Sequence, residues 1–446
     1  MTTRRDFVKQ SALAGAGLLF SSPLLSCNSN GLGTSSAIEK VVLGVVGTNS
    51  RGLYLARMFA QLPGVEVGFI CDVDELVLNK TLAELEKLTG KKPKGFRDVQ
   101  KLLEVKELDA IAIATPDHWH APATLMALKA GKHVYVEKPC SHNPAEGEMI
   151  VAASEKYNKL VQMGNQRRSF PRIIEAMQEL KEGSIGRVYF AKGWYSNSRK
   201  SMGIGKVTPV PAHLDYELWQ GPAPRKPYKD NLIHYNWHWL WNWGTGEALN
   251  NGTHEIDVMR WGLGVDHPTK VVSAGGRFAF KDDWETPDTQ TITYEFANNT
   301  AMMWEGKSCN DYDEMKSGRG VIFYGEKGTM VIPGGDDYKI YELGSKLRKE
   351  VKTNIQQADA TNTMGMGENL DSLHLLNFID SIRGKAKLNS PIAEGHKSTM
   401  LPQLGNIAYR TGQTLYCDPA TGRIKDNKAA ELLWSREYEK GWEMVL

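Results

Sequence analysis

Residues 41–52 read VVLGVVGTNSRG, and this stretch decides the fold. Its first six residues are apolar without polar alternation, which predicts a strand buried on both faces, as in a parallel sheet. Gly47 opens the turn that follows, and from Gly52 an apolar pattern with helical spacing continues to Leu62. A strand, a glycine turn and a helix in this order are typical of the first unit of a dinucleotide-binding domain.

The glycine turn departs from the dinucleotide fingerprint at one place. The fingerprint has glycine at three positions, G-x-G-x-x-G, and here Asn49 stands at the second of them. Asparagine tolerates positive φ better than most residues, so we expect the turn to form and a pyrophosphate to lie at the helix N-terminus. The residues expected to bind the cofactor at this turn are Gly47, Asn49, Ser50, Arg51 and Gly52.

A second apolar strand, residues 65–70, is followed by Cys71 and Asp72. A carboxylate about 20 residues beyond the glycine turn accepts hydrogen bonds from the adenosine ribose hydroxyls and repels a 2′-phosphate. Asp72 therefore predicts NAD rather than NADP as the cofactor. Taken alone, this segment leaves one alternative open, an ordinary strand-end aspartate in an α/β domain without a ligand.

Strand and helix patterns alternate in the residues that follow. Strands are expected at residues 110–114 and 133–136, and helices at residues 74–88 and 122–130. This alternation predicts a doubly wound α/β domain with a parallel sheet that ends near Met163.

Three motifs make the chain resemble a known enzyme family. They are TPDHWH at residues 115–120, GKHVYVEKP at 131–139 and GTGEALNNGTHEID at 244–257, with further likeness at 374–383 and 391–395. These motifs resemble the Gfo/Idh/MocA oxidoreductases, whose signature is the Glu-Lys-Pro triplet. The resemblance implies an N-terminal Rossmann domain with a doubly wound parallel sheet, residues 39–163. It also implies a C-terminal α/β domain with a large, open, mostly antiparallel sheet, residues 164–446, that binds substrate and forms homo-oligomers.

The resemblance also implies the catalytic residues. Lys138, in the Glu-Lys-Pro triplet, lies where the family has a lysine beside the substrate hydroxyl and the nicotinamide, and His254 matches the family's histidine acid/base. The family has an aspartate four residues before that histidine, whereas this chain has Asn250. Asparagine can bind a sugar hydroxyl but cannot stabilise an imidazolium by charge. Glu247 or Asp257 could compensate, or Lys138 could carry more of the proton transfer.

Further contacts complete the expected site. The cofactor is expected to contact Thr115, Pro116, His120, Glu137 and Lys138, and the substrate is expected to contact Lys138, Arg167, Trp237, Asn250 and His254. For His120, a substrate contact and a packing role are both open. Arg167 could equally be part of a charge pair at the domain hinge.

Four tryptophans recur with a period of two: Trp237, Trp239, Trp241 and Trp243. On a strand they would share one face. Indole faces stack on sugar C–H faces, so one or two are expected in a sugar cleft and the others in the core. The interleaved histidines lack an acidic partner at a convincing spacing, and no metal site is expected.

The N-terminus is predicted to be an export signal. Arg4-Arg5 precede an apolar segment, residues 12–20, and Leu24-Leu25-Ser26-Cys27 resembles a lipoprotein cleavage box. Residues 1–27 are thus a twin-arginine lipoprotein signal and residues 28–38 a flexible linker, with membrane contact only through lipidated Cys27 in the periplasm. The 54 basic and 52 acidic side chains nearly cancel, and without a long basic block no nucleic-acid partner is expected.

The sequence thus predicts an NAD-dependent oxidoreductase that acts on a small sugar or glycoside at a ring carbinol carbon. One alternative is a glycosidase that oxidises C3 transiently, eliminates the aglycone, adds water and reduces the sugar back. The NAD-dependent α-N-acetylgalactosaminidases share this fold but are expected to lack the lysine of the Glu-Lys-Pro triplet, which counts against this alternative. The second alternative is a sugar-binding lipoprotein without activity. Residues 353–367 are expected to form a long active-site loop, and the tail from Ala429 to Leu446 a docked helix.

Overall fold

A computed structural model of the chain describes residues 40–353 and 368–446. The predicted export signal and the linker lie outside the described residues, and so does the predicted active-site loop except for Thr353.

The first sheet consists of six parallel strands in the order β3-β2-β1-β4-β5-β6. The strands are β1 (Val41–Val46), β2 (Val65–Cys71), β3 (Lys94–Phe96), β4 (Ala110–Ile113), β5 (His133–Val136) and β6 (Val161–Met163). The helices between them are α1 (Arg51–Ala60), α2 (Glu75–Thr89), α3 (Val99–Leu103), α4 (Asp117–Lys129) and α5 (Pro144–Lys156). This strand order is that of dinucleotide-binding domains, as the sequence predicts, and the ligand crevice of such sheets lies beyond the carboxyl ends of the strands.

Both faces of the parallel sheet are covered. On β4, Ala110 and Ala112 face one buried apolar cluster, whereas Ile111 and Ile113 face another. One cluster also contains residues from helix α10 (Glu368–Ile382), which packs on that face from late in the chain. Burial on both faces explains why the strands are apolar without polar alternation.

The second sheet has ten strands and is mostly antiparallel. Its strands are β7 (Val188–Ser198), β8 (Lys270–Gly276), β9 (Thr289–Glu295), β10 (Ala301–Lys307), β11 (Cys309–Asn310), β12 (Arg319–Gly325), β13 (Gly328–Ile332), β14 (Tyr338–Glu342), β15 (Leu347–Val351) and β16 (Leu415–Tyr416). Only β7 and β10 pair in parallel. The α/β fold with a parallel Rossmann sheet and a large, mostly antiparallel second sheet is therefore confirmed.

Besides α10 and a short helix in the C-terminal tail, the described part of the second half contains α6 (Pro171–Lys181), α7 (Tyr216–Gln220), α8 (Glu247–Asn250), α9 (Gly252–Leu263) and α11 (Ile392–Thr411). Helices α9 and α11 pack on one face of the second sheet, with Ile256 and Leu404 in its buried core. A Cβ at Gly252 would lie 2.8 Å from the Trp304 ring, so glycine lets the start of α9 approach the sheet closely. This approach fixes the position of the helix that carries His254.

Two expectations about local structure are wrong. The tryptophan string does not form a strand, because residues Asn236–Trp239 form a 3₁₀ helix and turns follow. The tail is helical only in α12 (Lys428–Glu431) and in a 3₁₀ turn, Leu432–Trp434. Its last residues do pack on the body, since the Trp442 ring lies edge-on to Trp119 at 5.1 Å. Among the described residues, no helix is long and apolar enough to span a membrane.

Candidate active site

A cleft of about 1420 Å³, part of it open to solvent, runs along the carboxyl ends of β1, β2, β4 and β5. Nearly all of the predicted cofactor and catalytic residues line it: Gly47, Asn49, Ser50, Arg51, Asp72, Thr115, Pro116, His120, Glu137, Lys138, Asn250 and His254. Trp237 lines it as well.

Glycine is required at both ends of the turn after β1. Gly47 has φ +78°, and a Cβ there would lie 2.8 Å from the backbone nitrogen of Thr115. A Cβ at Gly52 would lie 1.8 Å from the carbonyl oxygen of Gly47. Gly52 does not line the cleft, and its role is the close packing of helix on strand. At the middle position, Asn49 is exposed in the cleft wall.

Asp72 lies at the end of β2 and its carboxylate organises the same turn. One oxygen accepts the backbone N–H of Thr48 at 2.6 Å, and the other accepts the backbone N–H of Asp74 at 3.0 Å. Burial raises the pKa of Asp72, and these two N–H groups oppose that shift. The carboxylate therefore holds the turn and at the same time lines the cleft where a ribose would bind.

Two of the three guanidinium nitrogens of Arg51 are bound to carboxylates, whereas Nη2 has no hydrogen-bond partner among the described residues. Its Nε donates to Glu137 at 2.7 Å and its Nη1 donates to Asp371 at 3.0 Å. The two carboxylates raise the pKa of Arg51 against the opposing effect of burial. Asp371, on α10, is a partner that sequence reasoning missed.

Lys138 and Asn250 meet across the cleft. The ammonium group of Lys138 donates to the backbone oxygen of Asn250 at 2.5 Å and lies 3.3 Å from its side-chain Oδ1. Burial lowers the pKa of Lys138, whereas the charges of Glu137 and Asp117 raise it. The end of β5 is thereby joined to the end of α8, so that the two sheet domains build the site together.

The side chain of Asn250 is oriented by the buried carboxylate of Glu247, one of the two acids that the sequence offered as compensation for Asn250. Its Nδ2 donates to Glu247 Oε1 at 3.2 Å, and Asn251 Nδ2 donates to the same oxygen at 2.5 Å. Arg199 donates to Glu247 from its Nε at 2.6 Å and to the Tyr235 hydroxyl from Nη1 at 2.6 Å. Arg199 lowers the pKa of Glu247 against burial, so the carboxylate stays charged. Asp257, the other acid that could compensate for Asn250, is instead paired with Arg168 at 2.7 Å.

His254 faces the cleft one turn beyond Asn250. No hydrogen bond of its imidazole is found within residues 40–353 and 368–446. Burial lowers its pKa well below the ordinary histidine value, and the nearby charges of Arg319 and Lys138 lower it further. The ring is therefore neutral at neutral pH, with a nitrogen available to accept a proton.

His120 has the structural role that was one of its two expected alternatives. Its Nδ1 lies 2.6 Å from the carbonyl oxygen of Pro139, and its Nε2 lies 2.8 Å from that of Thr115. The ring thus connects the turn after β4 to the turn after β5. Both turns line the cleft, so His120 supports the wall that the cofactor is expected to contact.

The tryptophans divide between cleft and core. Trp237 lines the cleft with the His238 ring stacked on it at 3.6 Å between centroids. Trp239 and Trp243 are buried, and Trp239 stacks on Trp284 at 4.1 Å. His234, also in the cleft, pairs with Asp74 at 3.0 Å. Within the described ranges no three His, Cys, Asp or Glu side chains are grouped to hold a metal ion.

The structure does not bring Arg167 to the cleft. Its Nη2 donates to the carbonyl oxygen of Gly334 at 2.6 Å, and its Nη1 lies 3.4 Å from Glu255. Its neighbour Arg168 is engaged with Asp257 at 2.7 Å. Both arginines therefore make buried pairs beside the cleft, which was the alternative expectation for them.

The residues present fit a dinucleotide. The glycine turn lies where the pyrophosphate of a dinucleotide would bind, because the turn precedes α1, whose N-terminus favours an anion. The carboxylate of Asp72 lies where the adenosine ribose would bind. Next to Gly47, the buried hydroxyl of Thr115 has no hydrogen-bond partner among the described residues. A buried polar group without a partner next to a large cleft is the expected sign of a bound ligand.

Comparison with known families agrees with this geometry. Residues 41–165 match the Gfo/Idh/MocA model described as an oxidoreductase family with an NAD-binding Rossmann fold. Residues 193–334 match the model of the same family's C-terminal alpha/beta domain. Together the two matches cover more than half of the chain.

Curated relatives and solved structures were also found. An "Alpha-N-acetylgalactosaminidase" of Shewanella oneidensis is 24% identical over 208 residues, which are 43% of this chain and 45% of the relative. A "Glycosyl hydrolase family 109 protein" of Saccharopolyspora erythraea is 28% identical over 226 residues, 46% of this chain and 48% of the relative. The alignments thus span less than half the length of these curated relatives.

The similar structures share the fold. A levoglucosan dehydrogenase in complex with NADH and levoglucosan has a TM-score of 0.64 at 17% identity, covering 85% of this chain and 99% of that one. The WlbA dehydrogenase of Bordetella pertussis, in complex with NADH and UDP-GlcNAcA, has a TM-score of 0.63 at 19% identity over 85% and 99% of the two chains.

The position of Asp72 predicts the cofactor preference. Asp72→Asn keeps the side-chain shape and one acceptor for the turn but removes the charge that repels a 2′-phosphate. We expect the preference for NAD over NADP to fall by about tenfold to a hundredfold, the range for losing a hydrogen bond to a charged group. The dissociation constants of both nucleotides measure this. Asp109→Asn is the matched control. Asp109 likewise accepts a backbone N–H, that of Val42, but near the amino end of β1 rather than at the carboxyl end, where the cleft lies. An unchanged preference in Asp72→Asn would contradict the assignment.

Proposed function

The chain belongs to the Gfo/Idh/MocA family of NAD-binding oxidoreductases, and we propose that it oxidises a ring carbinol of a sugar or glycoside with a tightly bound NAD. The observation that carries the proposal is the meeting of Lys138, Asn250 and His254 at one wall of the cleft. The aromatic ring of Trp237 lies in the same cleft, which suits the apolar face of a sugar ring. The sugar named with the levoglucosan dehydrogenase, a relative in fold, also supports this substrate class.

The side chains of the wall suit carbinol oxidation. NAD, when bound, supplies a hydride acceptor. The ammonium group of Lys138 donates a hydrogen bond to the carbinol oxygen and stabilises negative charge on it. The neutral imidazole of His254 accepts the hydroxyl proton. Asn250 holds Lys138 through its backbone oxygen, and Glu247 holds the Asn250 side chain in turn.

A second candidate is a glycosidase that uses NAD transiently. The names of the curated relatives favour it. In that reaction the sugar is oxidised at C3, the aglycone is eliminated, water adds and the ketone is reduced back. The same wall could take the first proton, so both candidates begin with the same step and differ in the fate of the aglycone.

The two candidates are separated by the products formed from a panel of aryl glycosides. The purified protein is dialysed extensively and assayed with no NAD added. We expect a ketosugar product and a single-turnover rise in absorbance at the nicotinamide band, followed by decay when a keto-sugar acceptor is supplied. Release of the free phenol would instead establish hydrolysis. With neither product from any member of the panel, a sugar-binding protein without activity would replace both proposals.

Replacement of the basic groups at the wall should slow the reaction without emptying the cofactor site. Lys138→Ala and His254→Ala should each lower turnover by about two to four orders of magnitude, the range for a positioned acid/base group. Turnover and bound nucleotide per protein are measured on the same preparations. Near wild-type turnover in either variant would show that the residue is assigned to the wrong role.

Asn250→Asp serves as the contrasting variant. A carboxylate 3.3 Å from the Lys138 ammonium favours the charged form and should raise the lowered pKa of Lys138. If deprotonation of Lys138 sets a limb of the pH–rate profile, that limb should move to higher pH, while turnover is retained at its optimum. A limb that stays in place would exclude Lys138 as the group that titrates.

We also propose that the chain is exported folded by the twin-arginine route and anchored to a membrane through Cys27. The order of Arg4-Arg5, an apolar segment and Leu-Ser-Cys supports this proposal. Outside the cytoplasm no dependable pool of NAD exists, which is why the cofactor is expected to stay bound during turnover and the net reaction to be redox-neutral or to need a second substrate.

Cell fractionation tests the export proposal. Replacing both Arg4 and Arg5 by lysine should leave the protein in the cytoplasm, and Cys27→Ser should move it from the membrane to the soluble exported fraction. Lys9→Arg, a change of similar size in the same segment, should leave the distribution as in the wild type. A wild-type distribution in the double-lysine variant would contradict the signal assignment.

A further inference from the structure

A second cavity lies beside the candidate active site. It encloses about 1090 Å³, part of it open to solvent, between α11, the C-terminal tail and the segment that leads into α8. It shares no lining residue with the cleft. Trp241, Asn242, Gly244, Thr245 and Leu249 line the second cavity, and Asn250, the residue after Leu249, lines the cleft. One short stretch of chain therefore separates the two spaces.

Two buried amides line the second cavity and each has an atom without a partner. Gln403 is 3% exposed, and its Oε1 accepts no hydrogen bond among the described residues. Asn143 is 5% exposed, and its Nδ2 donates none. The other end of each amide is fixed, since Gln403 Nε2 donates to the Ser141 carbonyl at 3.0 Å and Asn143 Oδ1 accepts the Glu146 N–H at 3.1 Å. The orientation of both amides is thus set, and their unsatisfied atoms call for a polar ligand.

Two guanidinium groups line the same cavity. Arg410 covers the Trp241 ring at 4.9 Å, and within the described part of the chain it makes no hydrogen bond or ion pair. Its N–H edge is therefore available for a planar oxyanion. Arg436 is held by Glu146 at 2.7 Å and by the His118 carbonyl, but its Nη1 is buried without a partner. The exposed carboxylate of Glu437 also lines the cavity, so the unpaired donors of Arg410, Arg436 and Asn143 stand against two acceptor groups, those of Gln403 and Glu437. The excess of donors favours an anionic ligand.

The remaining lining combines polar side chains, such as Asn406 and Ser435, with an apolar part, and the apolar part favours a ligand with a carbon skeleton over an inorganic ion. Pro144, Leu249, Ile407 and Leu433 supply the apolar part. We propose that the second cavity binds a small hydroxylated carboxylate, such as a sugar acid, with its carboxylate on Arg410 and its hydroxyls on the amides of Gln403 and Asn143. This site is separate from the catalytic cleft, so the proposal does not depend on the reaction proposed above.

Isothermal titration of the dialysed full-length protein tests this site, with D-glucuronate as the probe and D-glucose and inorganic phosphate as comparisons. We expect saturable binding of glucuronate that is at least about tenfold tighter than binding of glucose or phosphate, as for an added charged hydrogen bond. Arg410→Gln should weaken glucuronate binding by about the same factor. Arg187→Gln is the matched control, because Arg187 is an exposed arginine paired with Glu326 elsewhere on the surface. It should bind glucuronate like the wild type.

The location is tested with Lys138→Ala, which alters the cleft. Glucuronate binding that survives Lys138→Ala but weakens in Arg410→Gln, with an unchanged melting temperature, supports the second site. Binding that survives Arg410→Gln but is lost in Lys138→Ala would place glucuronate in the cleft and overturn the proposal. If phosphate binds as tightly as glucuronate, the cavity is a simple anion site and the proposal of a sugar-acid site is overturned. If glucuronate does not bind at all, the proposal is overturned as well. None of these outcomes requires turnover, so they are independent of the proposed reaction.

Discussion

The candidate site depends on the partly buried guanidinium of Arg51, which pairs with two buried carboxylates. Arg51 begins the helix after the glycine turn, and it joins Glu137 at the end of β5 to Asp371 on α10. Removing one partner of a buried ion pair costs about 3–5 kcal/mol, because a charge is left uncompensated away from water. The pairing therefore fixes the carboxylate that directly precedes Lys138. Three segments far apart in sequence are held at the edge of the sheet where the cofactor binds.

The first half of the fold could be predicted because its signals are local. The run VVLGVV has no polar alternation, and only a strand covered on both faces permits that pattern. Gly47 and Gly52 occupy places where a Cβ would collide with backbone atoms, so their positions in the sequence mark the turn directly. Lys138 and His254 were identified differently, by the resemblance of the Glu-Lys-Pro and Gly-Thr-His motifs to the family, and both line the cleft. Short elements such as β3, with three residues, give too little pattern to be recognised.

What the sequence could not supply was the partner of each charge. Arg51 follows the glycine turn and was expected to bind the cofactor, but nothing in the sequence indicated its two carboxylates, which lie 86 and 320 residues further along the chain. Arg167 was expected to contact the substrate, but its guanidinium donates to the carbonyl oxygen of Gly334 and pairs with Glu255. The tryptophan string failed for another reason. A period of two indicates a strand only if the backbone is extended, and a 3₁₀ turn at residues Asn236–Trp239 breaks that condition.

The contacts of Asn250 explain how an asparagine can stand where the family pattern has an aspartate. The side-chain Nδ2 of Asn250 donates to Glu247, a buried carboxylate that Arg199 keeps charged. An aspartate here would place a second carboxylate against the first without a donor between them, and one of the two would then have a raised pKa. The amide avoids this conflict, and its oxygen and the backbone carbonyl still receive the Lys138 ammonium. A negative charge is thus present one helical turn earlier, at Glu247, where it orients the wall through Asn250. The imidazole of His254 stays neutral because of its burial and the nearby charges of Arg319 and Lys138.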